Sequence, residues 1–193
     1  MLTPTQKLQQ LLKKAVLQQL LEDARLLQLP EVARLQQLLE NLISSPDFKQ
    51  SAMTLVREGA DITVQAHSGA RPTLLHILAR TNNNGLNNDD MDELVRRDPN
   101  ILECKDNLGQ TALQSLMNAL YLQQCTFNHF KQSAMVLARL GADTTLQSSF
   151  GKRPLLHLLA LENKNGSNDA SMSELIQFNP NVLTSTDHHR ATS

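Results

Sequence analysis

One stretch decides the fold, because the chain contains it twice. It reads Phe48-Lys49-Gln50-Ser51-Ala52-Met53 and returns as Phe130-Lys131-Gln132-Ser133-Ala134-Met135, an offset of 82 residues from Phe48 to Phe130. Each copy runs on into the same triplet, Gly59-Ala60-Asp61 in the first and Gly141-Ala142-Asp143 in the second. Self-similarity over a long period is typical of stacked supersecondary units, so the repeat takes priority over every other pattern in the chain.

The repeat continues at an offset of 81 residues, because the second copy lacks a counterpart to Thr73. The matching segments are Leu74-Leu75-His76 and Leu155-Leu156-His157, Asn84-Gly85 and Asn165-Gly166, Glu93-Leu94 and Glu174-Leu175, and Pro99-Asn100 and Pro180-Asn181. Asp106 recurs likewise as Asp187. The likeness therefore covers both helical and loop-like segments, as a duplicated structural unit requires.

Composition and charge exclude several classes of protein. The chain has 193 residues, a formal net charge of −1 and only 3% aromatic residues, which argues against a nucleic-acid-binding face. Two cysteines cannot form a disulfide framework, and they fit a reducing compartment. The N-terminus lacks the uncharged apolar run of a signal peptide, and no stretch is apolar enough to span a membrane. The sequence thus predicts a cytoplasmic location.

The first 47 residues predict an N-terminal helical cap. Thr3-Pro4 combines an N-cap with a proline at the first helical position, and the apolar residues from Leu8 to Leu27 follow at helical spacing over about 25 residues. Pro30 opens a second helix that closes at Ser44-Ser45-Pro46. The alternatives are a coiled coil or a pair of partner-binding helices, and the segment from residue 30 to residue 61 fits a degenerate repeat as well as a cap.

The repeated stretch itself predicts a helix, a glycine stop and a second helix. The first helix runs from about Phe48 to Glu58, and Gly59 and Gly141 stand where a helix ends in a left-handed residue. An extended segment and a glycine turn follow each stop. Pro72 and Pro154 are expected at the first position of the next helix.

This order of elements resembles the ankyrin repeat, in which a turn precedes two antiparallel helices. The strongest match is Asp106-Asn107-Leu108-Gly109-Gln110-Thr111-Ala112-Leu113, and Gly-Ala-Asp closes the second helix as in that family. Arg71 and Arg153 fall at the family's threonine position in the other units, with His76 and His157 one or two places late. The resemblance implies an all-α, ankyrin-like solenoid of stacked helix pairs over residues 48–193, with short β-turn or hairpin fingers, about three units and a truncated last one.

Two Asn-rich loops interrupt the short units, at residues 81–90 and 163–171. They fail the spacing of an EF-hand calcium loop, so solvated turns are favoured, with Asp89 and Ser171 as helix caps. The middle unit differs, because the segment from Thr111 to Gln124 predicts a longer first helix. The true repeat is therefore a pair of ankyrin-like units.

Candidate catalytic and metal-binding residues are few. Cys125 and His129 are four residues apart and would approach each other on a helix, although no orienting group or oxyanion site accompanies them; a boundary between two helices is the alternative. Cys104 fits a small buried residue. No histidine pairs with cysteine at zinc spacing. The sequence therefore predicts neither an enzyme nor a metal or cofactor site.

The resemblance implies a partner-binding surface made of finger tips and adjoining concave positions. The candidate residues are His67, Ser68, Arg71, Asn107, Leu108, Gln110, Asn118, Ser149, Phe150, Lys152 and Arg153. Phe150 fits a binding anchor and equally a contact between fingers. Arg71 and Arg153 fit recognition of an acidic partner, or structural hydrogen bonds to the finger backbone.

Two functions follow as hypotheses. The first is a non-enzymatic protein-protein interaction module, and its irregular units resemble ankyrin effectors that intracellular bacterial pathogens deliver into the host cytosol without a classical signal peptide. The alternative is a targeting or substrate-recruiting fragment of a larger multidomain enzyme, because an uncovered stack end exposes apolar surface. In both cases the expected partner is a protein.

Overall fold

The chain is all-α over the part that the computed structural model describes, which is residues 2–12, 46–63, 72–82, 85–106, 108–149 and 152–184. Those residues form eight α-helices and no strand. The helices are α1 (described over 4–12), α2 (Pro46–Arg57), α3 (Leu74–Arg80), α4 (Asn88–Arg97), α5 (Ala112–Tyr121), α6 (Phe127–Arg139), α7 (Leu155–Leu161) and α8 (Asp169–Phe178). The helix expected to start at Pro30 lies outside the described residues, as does the later part of the first predicted helix.

The helices pack as successive pairs, α3 with α4, α5 with α6 and α7 with α8. Helix α3 also contacts α5 and α6 of the next pair, and α6 contacts α8 of the pair after that. The buried side chains form one apolar cluster that runs from Leu8 in α1 to Val182 beyond α8. Each pair thus buries its apolar surface against its neighbours, which explains how helices of only seven residues persist.

The middle pair has the longer first helix, as predicted. Helix α5 has 10 residues, against 7 in each of α3 and α7. It ends at Tyr121, three residues before the expected end at Gln124.

Pro4 occupies the first position of α1 as predicted, but Pro72 and Pro154 do not occupy the first position of their helices, and that prediction is wrong. Thr73 is the N-cap of α3, so Pro72 lies before the cap, while Pro154 is itself the N-cap of α7. The two N-cap residues, Thr73 and Pro154, have extended backbone, with ψ of 170° and 163°. A proline is tolerated at the N-cap because the amide hydrogen of that residue is not needed for a helical bond.

Thr73, and not Arg71, occupies the threonine position of the repeat pattern at the start of α3. Thr73 caps α3, and His76 lies three residues later at the position that completes a capping box. Thr111 and Gln114 form the same box at the start of α5. His76 is therefore in register with the repeat and not late, whereas Arg153 directly precedes the N-cap of α7.

Glycines end the repeated helices, and this prediction is confirmed. Gly59 and Gly141 have φ of +91° and +99°. The amide of Gly59 donates to the carbonyl of Val56 and that of Ala60 to the carbonyl of Leu55, at 3.1 and 2.9 Å. This pair of bonds is a Schellman motif. The motif requires a residue with left-handed backbone, a conformation that only glycine adopts without strain.

Two asparagines of the first Asn-rich loop are buried and hydrogen-bonded, although the loop also exposes Leu86 and Asp89 to solvent. Asn82 and Asn87 are buried. The Asn87 side-chain amide donates to the Leu78 carbonyl at 2.9 Å and to Thr81 Oγ1 at 3.1 Å, while Asn82 Oδ1 accepts from the Asn87 backbone amide at 2.8 Å. The loop thereby satisfies a carbonyl of α3 that a short helix leaves without a partner.

The second loop repeats two of these three bonds, and Glu162 replaces the Thr81 that accepts the third. Asn168 donates its side-chain amide to the Leu159 carbonyl at 2.9 Å, and Asn163 Oδ1 accepts from the Asn168 backbone amide at 2.8 Å. The N-caps of α4 and α8 are consequently Asn87 and Asn168, so the prediction that Asp89 and Ser171 cap these helices is wrong. Both loops are therefore closed by asparagines at equivalent positions.

An ion pair between neighbouring helices is duplicated as well. Arg57 of α2 donates to Glu93 of α4 at 2.7 Å, and Arg139 of α6 donates to Glu174 of α8 at 2.6 and 2.9 Å. Hydrogen bonds from these arginines hold the pKa of both glutamates below the ordinary value. These pairs are exposed, so they set the register between helices more than they add stability.

We expect Asn87→Ala to destabilise the chain by about 1–3 kcal/mol, because it leaves the buried Leu78 carbonyl without its donor. Urea unfolding followed by circular dichroism measures the change. The matched control is Asn181→Ala at an exposed position, for which the free energy of unfolding should move by less than about 0.5 kcal/mol. Equal effects of the two substitutions would show that the Asn87 bonds are dispensable.

Candidate protein-interaction surface

The structure describes six of the residues predicted to bind a partner. They are Leu108, Gln110, Asn118, Ser149, Lys152 and Arg153. The other five, His67, Ser68, Arg71, Asn107 and Phe150, lie outside the described residues. The question of whether Phe150 is an anchor or a contact between fingers therefore stays a prediction.

The first described finger is a turn built on the carboxylate of Asp106. Asp106 Oδ1 accepts from the backbone amides of Leu108 at 2.9 Å and Gln110 at 3.0 Å. The backbone adds bonds from Asp106 to Gln110 at 2.9 Å and from Gly109 to Asp106 at 3.1 Å, with φ of +71° at Gly109. The turn is thus fixed from inside, and Leu108 stands at its tip with 66% of its side chain exposed.

Gln110 and Asn118 are internal, contrary to their expected place on the concave surface. Each is only 4% exposed. Gln110 Nε2 donates to Ser149 Oγ of the following finger at 3.2 Å. Gln110 therefore links two fingers, and the buried Asn118 belongs to the interior of α5 and not to a surface that a partner can reach.

The second described finger closes through its backbone. The amide of Ser148 donates to the Arg153 carbonyl at 3.2 Å, and that of Lys152 donates to the Ser148 carbonyl at 3.0 Å. Gln147 and Pro154 form an isolated antiparallel bridge, the nearest approach to a hairpin among the described residues. Ser149 and Lys152 are exposed and Arg153 is half-buried, so this finger presents a small polar group and a cation.

One side chain attaches each of the two described fingers to the helix pair before it. His76 Nε2 donates to the Gln110 carbonyl at 3.0 Å, and Gln114 Nε2 donates to the Gln147 carbonyl at 2.9 Å. Both residues occupy the third position of their helices, at the capping box. The sequence offered a signal for them, because Thr-x-x-His and Thr-x-x-Gln recur at the same place, but the placement of Arg71 at the threonine position obscured it.

The geometry fixes the protonation of His76. A carbonyl can only accept, so Nε2 carries the proton toward Gln110, and Nδ1 accepts from the Thr73 amide at 3.3 Å and from Thr73 Oγ1 at 2.8 Å. The ring is therefore neutral, since protonation of Nδ1 would place donor against donor. Burial also lowers the pKa of His76, which favours the neutral ring.

The cysteines lack the features of a nucleophile. Helix α6 begins at Phe127, so Cys125 lies before it and the expected helical spacing to His129 is not realised. Burial raises the pKa of the Cys125 thiol to about 11, whereas a nucleophile needs a thiolate at neutral pH. Burial likewise raises the pKa of Cys104. His129 instead approaches the Ala79 carbonyl at 3.4 Å, and burial lowers its pKa.

Acidification should destabilise the chain through His76. Its pKa is lowered in the folded state, so the unfolded state binds more protons below about pH 6.5, and the free energy of unfolding falls as the pH drops from there. In His76→Gln the fall should be smaller, because Gln114 shows that glutamine makes both bonds without titrating. Urea denaturation from pH 7.5 to 5 measures both profiles. The lowered pKa of His129 also makes the free energy of unfolding fall at acid pH. If the unchanged chain and His76→Gln lose stability in parallel, His129 or another group and not His76 causes the fall.

Cys125 should react slowly with iodoacetamide. A pKa of about 11 leaves a thiolate fraction at pH 7.5 about 300-fold smaller than that of a free cysteine. The stronger intrinsic nucleophilicity of a basic thiolate recovers roughly tenfold of this difference. In a Cys104→Ala chain, which has Cys125 alone, we expect alkylation at least tenfold slower than in a cysteine peptide. Faster alkylation than in the peptide would revive the nucleophile hypothesis.

No family model matches the chain, and no curated protein matches it either. None of the described helices combines the length and apolar composition that crossing a bilayer requires. The described residues also contain no group of three histidine, cysteine or acidic side chains placed so that it could hold a metal ion. The candidate surface is therefore described from its own residues and geometry alone.

Proposed function

We propose that the chain is a non-enzymatic protein-interaction module of the ankyrin type that binds a partner protein through its finger tips. The alternation of helix pairs and finger turns supports this proposal, as do the capping boxes at Thr73 and Thr111 and the glycine stops at Gly59 and Gly141. In such an arrangement the rigid helix pairs carry the turns, and the turns make the contacts.

The conformation of Leu108 carries the proposal. Its side chain is mostly exposed although it is apolar, and its backbone is held by Asp106 and Gly109. A side chain on a fixed turn loses little conformational freedom when a partner binds, so more of its contact energy appears as affinity. An exposed leucine on a mobile loop would lack this advantage.

The charges near Leu108 indicate what the partner offers. Lys105 is exposed three residues before the tip, and Lys152 is exposed on the next finger, which Gln110 links to the first through Ser149. We propose a partner with an apolar pocket for Leu108 and carboxylates at the rim of that pocket. Cations at the rim raise the association rate, while the buried leucine slows dissociation.

The biological setting that we propose is a bacterial effector acting on a host protein. The support is the resemblance of the irregular, paired units to effectors of that kind. The partner would then be a protein of the eukaryotic cytosol.

The test is retention of a protein from eukaryotic cell lysate, followed by affinity measurement with the purified partner. Leu108→Glu should weaken binding about 10- to 30-fold, because it places a carboxylate in an apolar pocket with an acidic rim. The matched control is Leu86→Glu, an equally exposed leucine in the first Asn-rich loop, and it should bind as the unchanged chain does. Circular dichroism establishes that both variants are folded.

Other results would contradict the proposal. Loss of binding in Leu86→Glu with retention in Leu108→Glu would place the surface on the Asn-rich loops. Equal binding by all three chains would exclude the finger tips as the binding surface.

A further inference from the structure

The duplication allows one helix-pair face to be compared in two surroundings. The pair α3–α4 has α5 and α6 packed against it, whereas its counterpart α7–α8 is the last pair that the structure describes. Corresponding residues of the two pairs differ by 81 in number. Any difference in burial between them therefore reports on what covers the face.

Direct contacts identify the residues of this face in the first pair. The Ala79 carbonyl faces His129 of α6 at 3.4 Å, and His76 donates to the Gln110 carbonyl. A methyl group added at Gly141 would lie 3.9 Å from Leu102, so Leu102 adjoins the end of α6. The middle pair thus covers the side of α3–α4 that contains His76, Ala79 and Leu102.

The same face is apolar in the last pair, and the described residues leave it more exposed. Leu102 is 7% exposed, while its counterpart Leu183 is 63% exposed. Four further buried residues of the first pair also have more exposed counterparts of the same or similar type: Leu75 and Leu156, Ala79 and Ala160, Met91 and Met172, and Val95 and Ile176. We call Leu156, Ala160, Met172, Ile176 and Leu183 the end face.

One substitution makes the surroundings of the end face more apolar. Leu161 is exposed and stands where the first pair has Arg80, whose guanidinium donates to Gln124 between α5 and α6. A surface that ends a stack of repeats normally carries polar groups to keep it soluble. Replacement of an arginine by leucine runs in the opposite direction, which is typical of a surface that another structure covers.

His157 on this face has an unused hydrogen-bonding capacity. Its counterpart His76 bonds to Thr73 and to the carbonyl of Gln110. Pro154 replaces the threonine and has neither an amide hydrogen nor a hydroxyl, and the buried Nδ1 of His157 is bonded to none of the described residues. No described residue supplies the carbonyl that Gln110 supplies to His76.

We propose that the end face is a docking site for one further helix pair of the same repeat type. The occupant is an apolar helix pair preceded by a turn, whose backbone carbonyl accepts from the ring of His157. The internal interface between α3–α4 and α5–α6 is the template for this contact, since its covered face has the same residues. This site is separate from the finger tips and does not depend on the function proposed for them.

A grafted repeat tests the proposal, with register set by the duplication. Residues 107–143 are copied in after Asp187, the counterpart of Asp106, in place of residues 188–193. We expect the graft to raise the midpoint of thermal unfolding by roughly 5 °C or more, because it buries the end face. The control carries the same graft behind Ile176→Glu and Leu183→Glu, which should abolish the rise. Because Ile176 packs partly against the core, the rise is measured for each graft relative to the ungrafted chain that carries the same substitutions.

Two results would overturn the proposal. One is a graft that leaves the midpoint unchanged and is cleaved by protease as an unfolded tail would be. The other is an ungrafted chain that light scattering shows to be a dimer and that Ile176→Glu with Leu183→Glu converts to a monomer, because a second copy would then be the occupant of the end face.

Discussion

A pair of short helices cannot bury its apolar face by itself, and the architecture of this chain depends on that constraint. Helix α3 has seven residues, six of which are buried. That burial requires α4 from its own pair and both helices of the next pair. Because isolated helices of this length are unstable in water, the helices and their packing form together. The same constraint gives its significance to the face of α7–α8 that the described residues leave exposed.

Polar side chains enter this apolar interior where they join one element to another. His76 connects α3 to the finger of the next pair, and Asn87 and Asn168 connect the loops to the ends of the short helices before them. A buried polar group without a partner costs about 1–3 kcal/mol, so each of these groups admits only arrangements in which its partner is present. Buried hydrogen bonds of this kind determine the spacing that apolar contacts alone would leave loose.

The finger tips gain their rigidity from the same interior bonds. Asp106 organises the turn, His76 holds its carbonyl from below and Gln110 links it to Ser149 of the next finger. Leu108 is consequently held on a turn that internal bonds fix. Of the residues that make these bonds, His76 and Gln110 are buried and Asp106 is half-buried, whereas Leu108 is exposed.

The sequence alone determined the duplication, the all-α character, the glycine stops and the longer middle helix. These features depend on local chemistry, since backbone preference and apolar spacing are properties of neighbouring residues. Only the tertiary structure decided that Thr73 and not Arg71 caps α3, that Gln110 and Asn118 are internal, and that Asn82, Asn87 and Asn168 of the Asn-rich loops are buried. Burial is decided by what packs against a residue, and for His76 that partner lies 34 residues away. Sequence spacing within one repeat contains no information about which neighbour covers which face, so the covered face of α3–α4 and the more exposed face of α7–α8 have nearly the same sequence.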